Sequence, residues 1–229
     1  MTHLEVQNIA KLTLSYIKTK IKVGTSIIEL KKLAENKMKE LGATSFWYHN
    51  VGALIFSGEE TLLSVSGKKY IPSQKNIETN DIITIDLSPS KNRIWGDFAR
   101  TLIIEDGDIK ENIGDIKNEE WKSGLIIENL LHEELVSFAH PDATFEDIYE
   151  HFNKMISSLG YINLYFSGNL GHSIAKFKNN RIYIEKGNGK KLSSVKYFTF
   201  EPHVSRKNGS YGYKKEDIYF FNGNILEKL

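Results

Sequence analysis

Residues 81–104, DIITIDLSPSKNRIWGDFARTLII, read as two runs rich in β-branched side chains around a turn-rich middle. Ile82, Ile83, Thr84 and Ile85 favour an extended chain, as do Thr101, Ile103 and Ile104, whereas Ser88, Pro89, Ser90 and Gly96 interrupt it. A hairpin of this kind returns the second run beside the first. It also returns Asp97 beside Asp86, eleven residues earlier in the chain. Two carboxylates so placed repel: at about 4 Å and an effective dielectric of about 20 the cost is roughly 4 kcal/mol. A cation or a proton between them removes that cost.

Working outward, the hairpin sits in a longer β-rich stretch that includes TSFWYHNVGALIFSG (44–58) and TLLSVSG (61–67), both expected to hold strands. Ahead of it, apolar residues recur at helical spacing from Leu4 to Lys22. A second helix is expected from Ser26, whose hydroxyl caps a turn that Glu29 answers, to Gly42. Behind it, helices are expected at Asp115–Ala139 and Thr144–Leu159. Strands return in 161–169, 180–185, 196–205 and 213–229, with Asn222-Gly223 as a tight hairpin turn. The lysines of the first two helices alternate with Glu29, Glu35 and Glu40, the pattern of a solvated face rather than of a nucleic-acid patch.

Composition narrows the chemistry. The 229 residues carry 30 Lys+Arg against 29 Asp+Glu, a formal charge of +1, which argues against a basic nucleic-acid coat. The absence of cysteine excludes disulfides, thiolate zinc sites and a cysteine nucleophile, so any metal site is built from His, Asp and Glu. There is no signal-peptide core and no long apolar run, so the expectation is a cytoplasmic protein with no membrane partner. With no break in composition, residues 1–229 read as a single catalytic α+β domain, its curved antiparallel sheet flanked by helices.

Downstream of the two aspartates come His172 in SGNLGHSIA, Glu201 in FTFEPH and Glu216 in YKKEDIYFF. This ordered series resembles the pita-bread metallopeptidases, the family of methionine aminopeptidases, prolidases and proline aminopeptidases, from about Leu4 to the end of the chain. The resemblance implies the pita-bread fold and a dinuclear site. Asp86 would be a terminal ligand of one ion, Asp97 and Glu216 bridges, and His172 and Glu201 ligands of the second. Four carboxylates and one imidazole suit Mn, Co, Fe(II) or Zn. Two such divalent ions would offset the four negative charges and activate water for attack on a peptide carbonyl. Glu201 is the implied proton carrier in that catalysis.

The match departs from the family at two places. Lys69-Tyr70 stands where a substrate-contacting histidine precedes tyrosine, and Lys178 or Asn179 stands where another histidine follows the metal-binding one. Two histidines are candidates to compensate as substrate-binding residues: His203, two residues after Glu201 and so on the same strand face, and His49 in WYHN. By contrast, His132 is expected on a helix surface, because the second histidine of an H-E-x-x-H zinc motif is replaced by Val136.

The expected function is a dinuclear exopeptidase of Xaa-Pro aminopeptidase or dipeptidase type, since FTFEPH and KKEDIYFF look more like the proline-peptidase branch. The length is that of a minimal methionine aminopeptidase, which makes methionine removal the alternative. A non-catalytic peptide-binding module and a C–N hydrolase of a small substrate complete the alternatives. A peptide is the expected partner, and a homodimer is left open.

Overall fold

The computed structural model describes residues 2–229. Two helices come first, α1 (His3–Lys18) and α2 (Ile27–Glu40). Thr2 and Glu5 form a capping box at the first, and Ser26 accepts from the Glu29 backbone N–H at the second. Seven strands follow: β1 (Ser45–Phe46), β2 (Ala53–Ser57), β3 (Asp81–Leu87), β4 (Pro89–Lys91), β5 (Ile94–Trp95), β6 (Phe98–Glu105) and β7 (Asp108–Ile109). Then come α3 (Glu119–Phe138) and α4 (Phe145–Ser158), the latter capped by Thr144 and Asp147. The chain ends in β8 (Tyr161–Asn163), β9 (Phe198–Phe200), β10 (His203–Arg206), β11 (Gly212–Lys214), β12 (Asp217–Asn222) and β13 (Ile225–Lys228).

All strand pairings are antiparallel, and the longest sheet runs β2-β3-β6-β7. Alternation along β3 and β6 separates two cores. Ile83, Ile85, Leu102 and Ile104 join α1 and α2, whereas Ile82 and Ile103 join α3, α4 and the C-terminal strands. Each fully buried Ile contributes about 1.5–3 kcal/mol. The central pair is therefore fixed from both sides, and a one-residue slip would exchange the two apolar sets.

The hairpin reading of 81–104 holds with an addition: β4 and β5 form an excursion between the paired strands, and β4 pairs with β1. Asn222-Gly223 turns β12 into β13, with Gly223 at φ 62°. Two expected strands are corrected. In 61–67, Thr61 belongs to a short 3-10 turn, Gly58–Leu62. Its backbone carbonyl accepts from His203 and its hydroxyl accepts from Gly212 N, so side-chain bonds replace a ladder. In 180–185 only Tyr183 bridges, to His172, and the few backbone bonds between 170–173 and 182–184 form an isolated bridge rather than a strand.

His132 is also corrected. It is buried, with Nδ1 2.7 Å from the Tyr219 hydroxyl and Nε2 3.1 Å from the Lys215 carbonyl. Gly124, Glu128, His132 and Leu135 share the inner face of α3, a helical period that the neighbouring Glu133 and Glu134 conceal.

Candidate metal centre

Sheet register brings the acids together. Asp86 in β3 lies opposite Ala99 in β6, and Ala99 in turn bridges to Glu216, just ahead of β12. Glu216 N donates to the Ala99 carbonyl at 3.0 Å, and Ala99 N to the Glu216 carbonyl at 3.4 Å. Asp97 stands two residues before Ala99 and so on its side of the strand. Its backbone is held by Gln7 of α1: Gln7 Nε2 donates to the Asp97 carbonyl at 2.7 Å and Asp97 N donates to Gln7 Oε1 at 2.9 Å. Asp86, Asp97 and Glu216 each offer a carboxylate oxygen within 4.8 Å of the other two.

The other two residues arrive from the C-terminal half. Thr199 Oγ1 accepts from His172 N, and Glu201 N donates to the Leu170 carbonyl. This contact requires Gly171, where a Cβ would sit 2.3 Å from the Thr199 carbonyl oxygen. His172 Nε2 then lies 3.6 Å from Asp97 Oδ2 and 3.5 Å from Glu201 Oε1. Its Nδ1 is 3.2 Å from the Ser173 carbonyl, an arrangement that puts the proton on Nδ1 and leaves the Nε2 lone pair facing the acids. Trp47, Trp95 and Tyr183 surround the ring at centroid distances of 5.6, 5.7 and 5.8 Å.

Two further residues belong to this cluster and escaped the sequence reading. The buried Lys214 ammonium lies 2.5 Å from Asp86 Oδ2, 3.4 Å from Glu201 Oε2 and 3.7 Å from Glu216 Oε2. It also donates to the Tyr165 hydroxyl at 2.8 Å, and that hydroxyl in turn donates to Glu201 Oε2. Lys214 precedes Glu216 by two residues, the same spacing that drew attention to His203, so strand alternation was an available signal. Tyr165 had none, because it stands in a segment expected to be a regular strand but turned by Ser167 at φ 55°.

The electrostatics follow from burial. Desolvation, with Asp86 and Glu201 nearby, holds the Asp97 carboxyl well above its usual range. Desolvation and Asp97 do the same to Glu216. Burial works against the charge of Lys214, but Asp86, Tyr165, Glu216 and Glu201 outweigh it and keep the amine protonated. Burial pushes His172 down to about 4, so it is neutral at pH 7. Both Glu216 carboxylate oxygens are buried and lack a hydrogen-bond partner among the described residues. A buried carboxylate left in that condition is costly, and a divalent cation among the acids satisfies it. The donor set of oxygens and one imidazole suits such an ion.

A cavity of about 370 Å³ opens on the cluster, lined by Asp86, Asp97, His172 and Glu201 and walled by Trp47, Tyr48 and Tyr183. His203 does not line it. Its ring is buried, with Nε2 2.7 Å from the Thr61 carbonyl, and it faces an adjoining cavity that contains Asp86, Tyr165, Lys214 and Lys69. His49 is exposed, edge-on to Tyr48. Lys178 and Asn179 line a separate surface depression with Trp95.

The sequence pattern of Metallopeptidase family M24 matches residues 2–222, and this chain belongs to that family. It is 26% identical over 208 residues to a methionine aminopeptidase of Helicobacter pylori, covering 86% of this chain and 75% of the relative. Its fold matches that of an X-Pro aminopeptidase from Thermotoga maritima with a TM-score of 0.79 at 20% identity, covering 98% of this chain and 58% of the other. A prolidase from Pyrococcus furiosus gives the same TM-score at 22% identity, with 98% and 61% covered. The chain thus spans less than two thirds of these two structures and has their pita-bread fold, the architecture expected from the sequence. No helix among the described residues is long and apolar enough to cross a membrane.

Proposed function

We propose that this chain is a divalent-metal-dependent exopeptidase that hydrolyses the N-terminal bond of peptides, of Xaa-Pro aminopeptidase or dipeptidase type. The observation that carries the reading is the buried Glu216 carboxylate beside Asp86 and Asp97, neither of whose oxygens has a hydrogen-bond partner among the described residues, with the His172 lone pair turned toward the same acids. Asp86, Asp97, His172, Glu201 and Glu216 would hold two ions of the Mn, Co, Fe or Zn group. When bound, such ions activate water and polarise a peptide carbonyl.

The chain's own residues supply the rest. Burial opposes ionisation of Glu201, but the Lys214 ammonium and the Tyr165 hydroxyl favour its charged form, so Glu201 stays charged and can accept a proton at a carboxylate oxygen. It would pass that proton to the departing amine. Lys214 fixes the orientation of Asp86, and the walls formed by Trp47, Tyr48 and Tyr183 limit water around the scissile bond. A methionine aminopeptidase-like activity is the second reading, favoured by the relative matched over 86% of the chain.

The test is a peptide panel with Xaa-Pro and Met-Ala members, applied to protein reconstituted with Mn, Co, Fe(II) or Zn, with bound metal counted. The expected result is about two ions per chain and cleavage that Asp97→Ala abolishes. A metal-loaded protein that cleaves nothing overturns the reading.

A further inference from the structure

Beside the cavity that opens on the carboxylate cluster lies a surface depression of about 380 Å³, and Trp47 is a wall of both. Arg93, Lys176 and Lys178 line the depression together with Phe177 and Trp95, and among the described residues no carboxylate does so. Phe177 is half-exposed, with the Arg93 guanidinium 5.4 Å and the Lys176 ammonium 5.7 Å from its ring. None of the three cations has an ion-pair partner among the described residues. The concentration of charge is local: residues 176–196 carry seven Lys or Arg against one acid, Glu185, in a chain whose formal charge is only +1.

The backbone gives a second, independent sign. Lys91 pairs with Ile94, so Asn92 and Arg93 form the two-residue turn between β4 and β5, at φ 54° and 65°. Such a turn favours Asn followed by Gly, because most side chains are strained at positive φ. Arginine here costs conformational energy that glycine would not, and what it adds is a guanidinium beside Phe177. Trp47 and Trp95 stand 4.3 Å apart, and their rings lie 5.6 and 5.7 Å from the His172 ring. The depression is therefore one layer of aromatic rings away from a candidate metal ligand, a separation that about three residues of extended chain span.

We propose that this depression is an exosite for the acidic part of a peptide substrate, so that the site prefers peptides with Asp or Glu a few residues after the scissile bond. This rests on the peptidase reading and names the substrate class of that site. Hydrolysis of an N-terminal bond leaves only the C-terminal part of the peptide to extend out of the cavity, and the cations beyond Trp47 are complementary to carboxylates on it. Continuity with the cavity through Trp47 favours a peptide over a nucleic acid, which has no reason to approach the carboxylate cluster. Arg93, Lys176 and Lys178 are then specificity-determining residues that meet the substrate away from the reacting bond.

The test is equilibrium binding to the Mn-loaded protein, followed by fluorescence anisotropy, of two labelled hexapeptide amides whose first bond is a reduced amide. They are Ala-Pro-Ala-Glu-Glu-Ala and Ala-Pro-Ala-Gln-Gln-Ala. The Glu peptide is expected to bind about tenfold more tightly at low salt, and its advantage to shrink at about 0.5 M salt. Arg93→Gly combined with Lys176→Gln and Lys178→Gln should bring the Glu-to-Gln ratio close to one, with the two lysine substitutions alone intermediate. Lys32→Gln, Lys154→Gln and Lys207→Gln together remove the same charge from exposed positions elsewhere and should keep the ratio. A ratio lost equally in that variant overturns the inference. So do equal affinities in the wild type, a ratio that survives in the depression variant, and no binding of either peptide. Stronger displacement of the Glu peptide by an oligouridylate than by the unlabelled peptide would make the depression a nucleic-acid site and also overturns it. The two proposals fail separately. Acid preference in a protein that cleaves no peptide overturns only the peptidase reading, and peptide cleavage without acid preference overturns only the exosite.

Discussion

The Lys214 ammonium stands 2.5 Å from Asp86 Oδ2, across the site from β11 to β3. It also faces Glu201 and Glu216, so one buried cation is shared by three of the four acids. Removing its charge leaves Asp86 without its strongest orienting contact and leaves the acids more strongly negative. Lys214→Met is expected to bind Mn(II) at least as tightly as the wild type yet turn over about 10–100-fold more slowly. Metal titration and steady-state hydrolysis measure the two effects, and unchanged turnover would show that Asp86 needs no partner.

Gln7 connects the first helix to the site through its two hydrogen bonds to the Asp97 backbone. Gln7→Leu keeps the approximate volume but strands a buried N–H and a buried carbonyl, each costing about 1–3 kcal/mol. Urea denaturation is expected to show a loss of about 2–4 kcal/mol together with weaker divalent-ion binding. A variant of wild-type stability would mean that the Asp97 loop holds itself.

Glu128 gives a pH signature away from the acids of the site. It is buried, accepts from Thr101 Oγ1, and desolvation raises its pKa from 4.5 to about 8. With the folded value above the unfolded one, the stability it contributes is complete below about pH 4.5. That contribution is lost as pH rises toward 8, at up to about 1.4 kcal/mol per pH unit. Glu128→Gln carries no such slope, so its stability relative to the wild type should improve steadily between pH 5 and 8. A difference that stays flat across this window would refute a buried neutral carboxyl.

Divalent ions are expected to stabilise the metal-depleted protein, because Asp97 is buried near the charges of Asp86 and Glu201, and Glu216 near those of Asp97 and Glu201. At about a hundredfold excess over Kd the gain is about 2.7 kcal/mol, a rise in Tm of roughly 5–10 °C. Glu216→Gln should lose most of that rise in a thermal-shift assay. An equal rise in the variant would place the ion elsewhere.

Gly171 permits His172 to reach the acids, since any side chain there meets the Thr199 carbonyl at a positive φ. Gly171→Ala is expected to lower Tm and to weaken metal binding more than Gly124→Ala. The latter is also overpacked, against the Tyr213 ring, but lies on α3 rather than in the loop that carries His172. Comparing metal affinity in the two variants separates a local effect on His172 from general destabilisation.

The sequence by itself determined a good deal. The apolar runs of 81–104 specified the central strand pair, the cap at Ser26 specified a helix start, and the ordered series Asp86, Asp97, His172, Glu201 and Glu216 carried the resemblance to the metallopeptidases. The strands and the cap are local properties, because a strand's alternation and a helix's cap are set by residues a few positions apart. What only the tertiary structure decided was which groups meet across the chain. His132 is buried because α3 turns that face to the sheet, and His203 is held by Thr61, 142 positions earlier in the chain. Lys214 enters the acids from one strand, while Arg181 comes to rest between Trp47 and Tyr183 in the cavity beside them. Burial sets the protonation of each titratable group among them, and burial belongs to the packed molecule rather than to any stretch of its sequence.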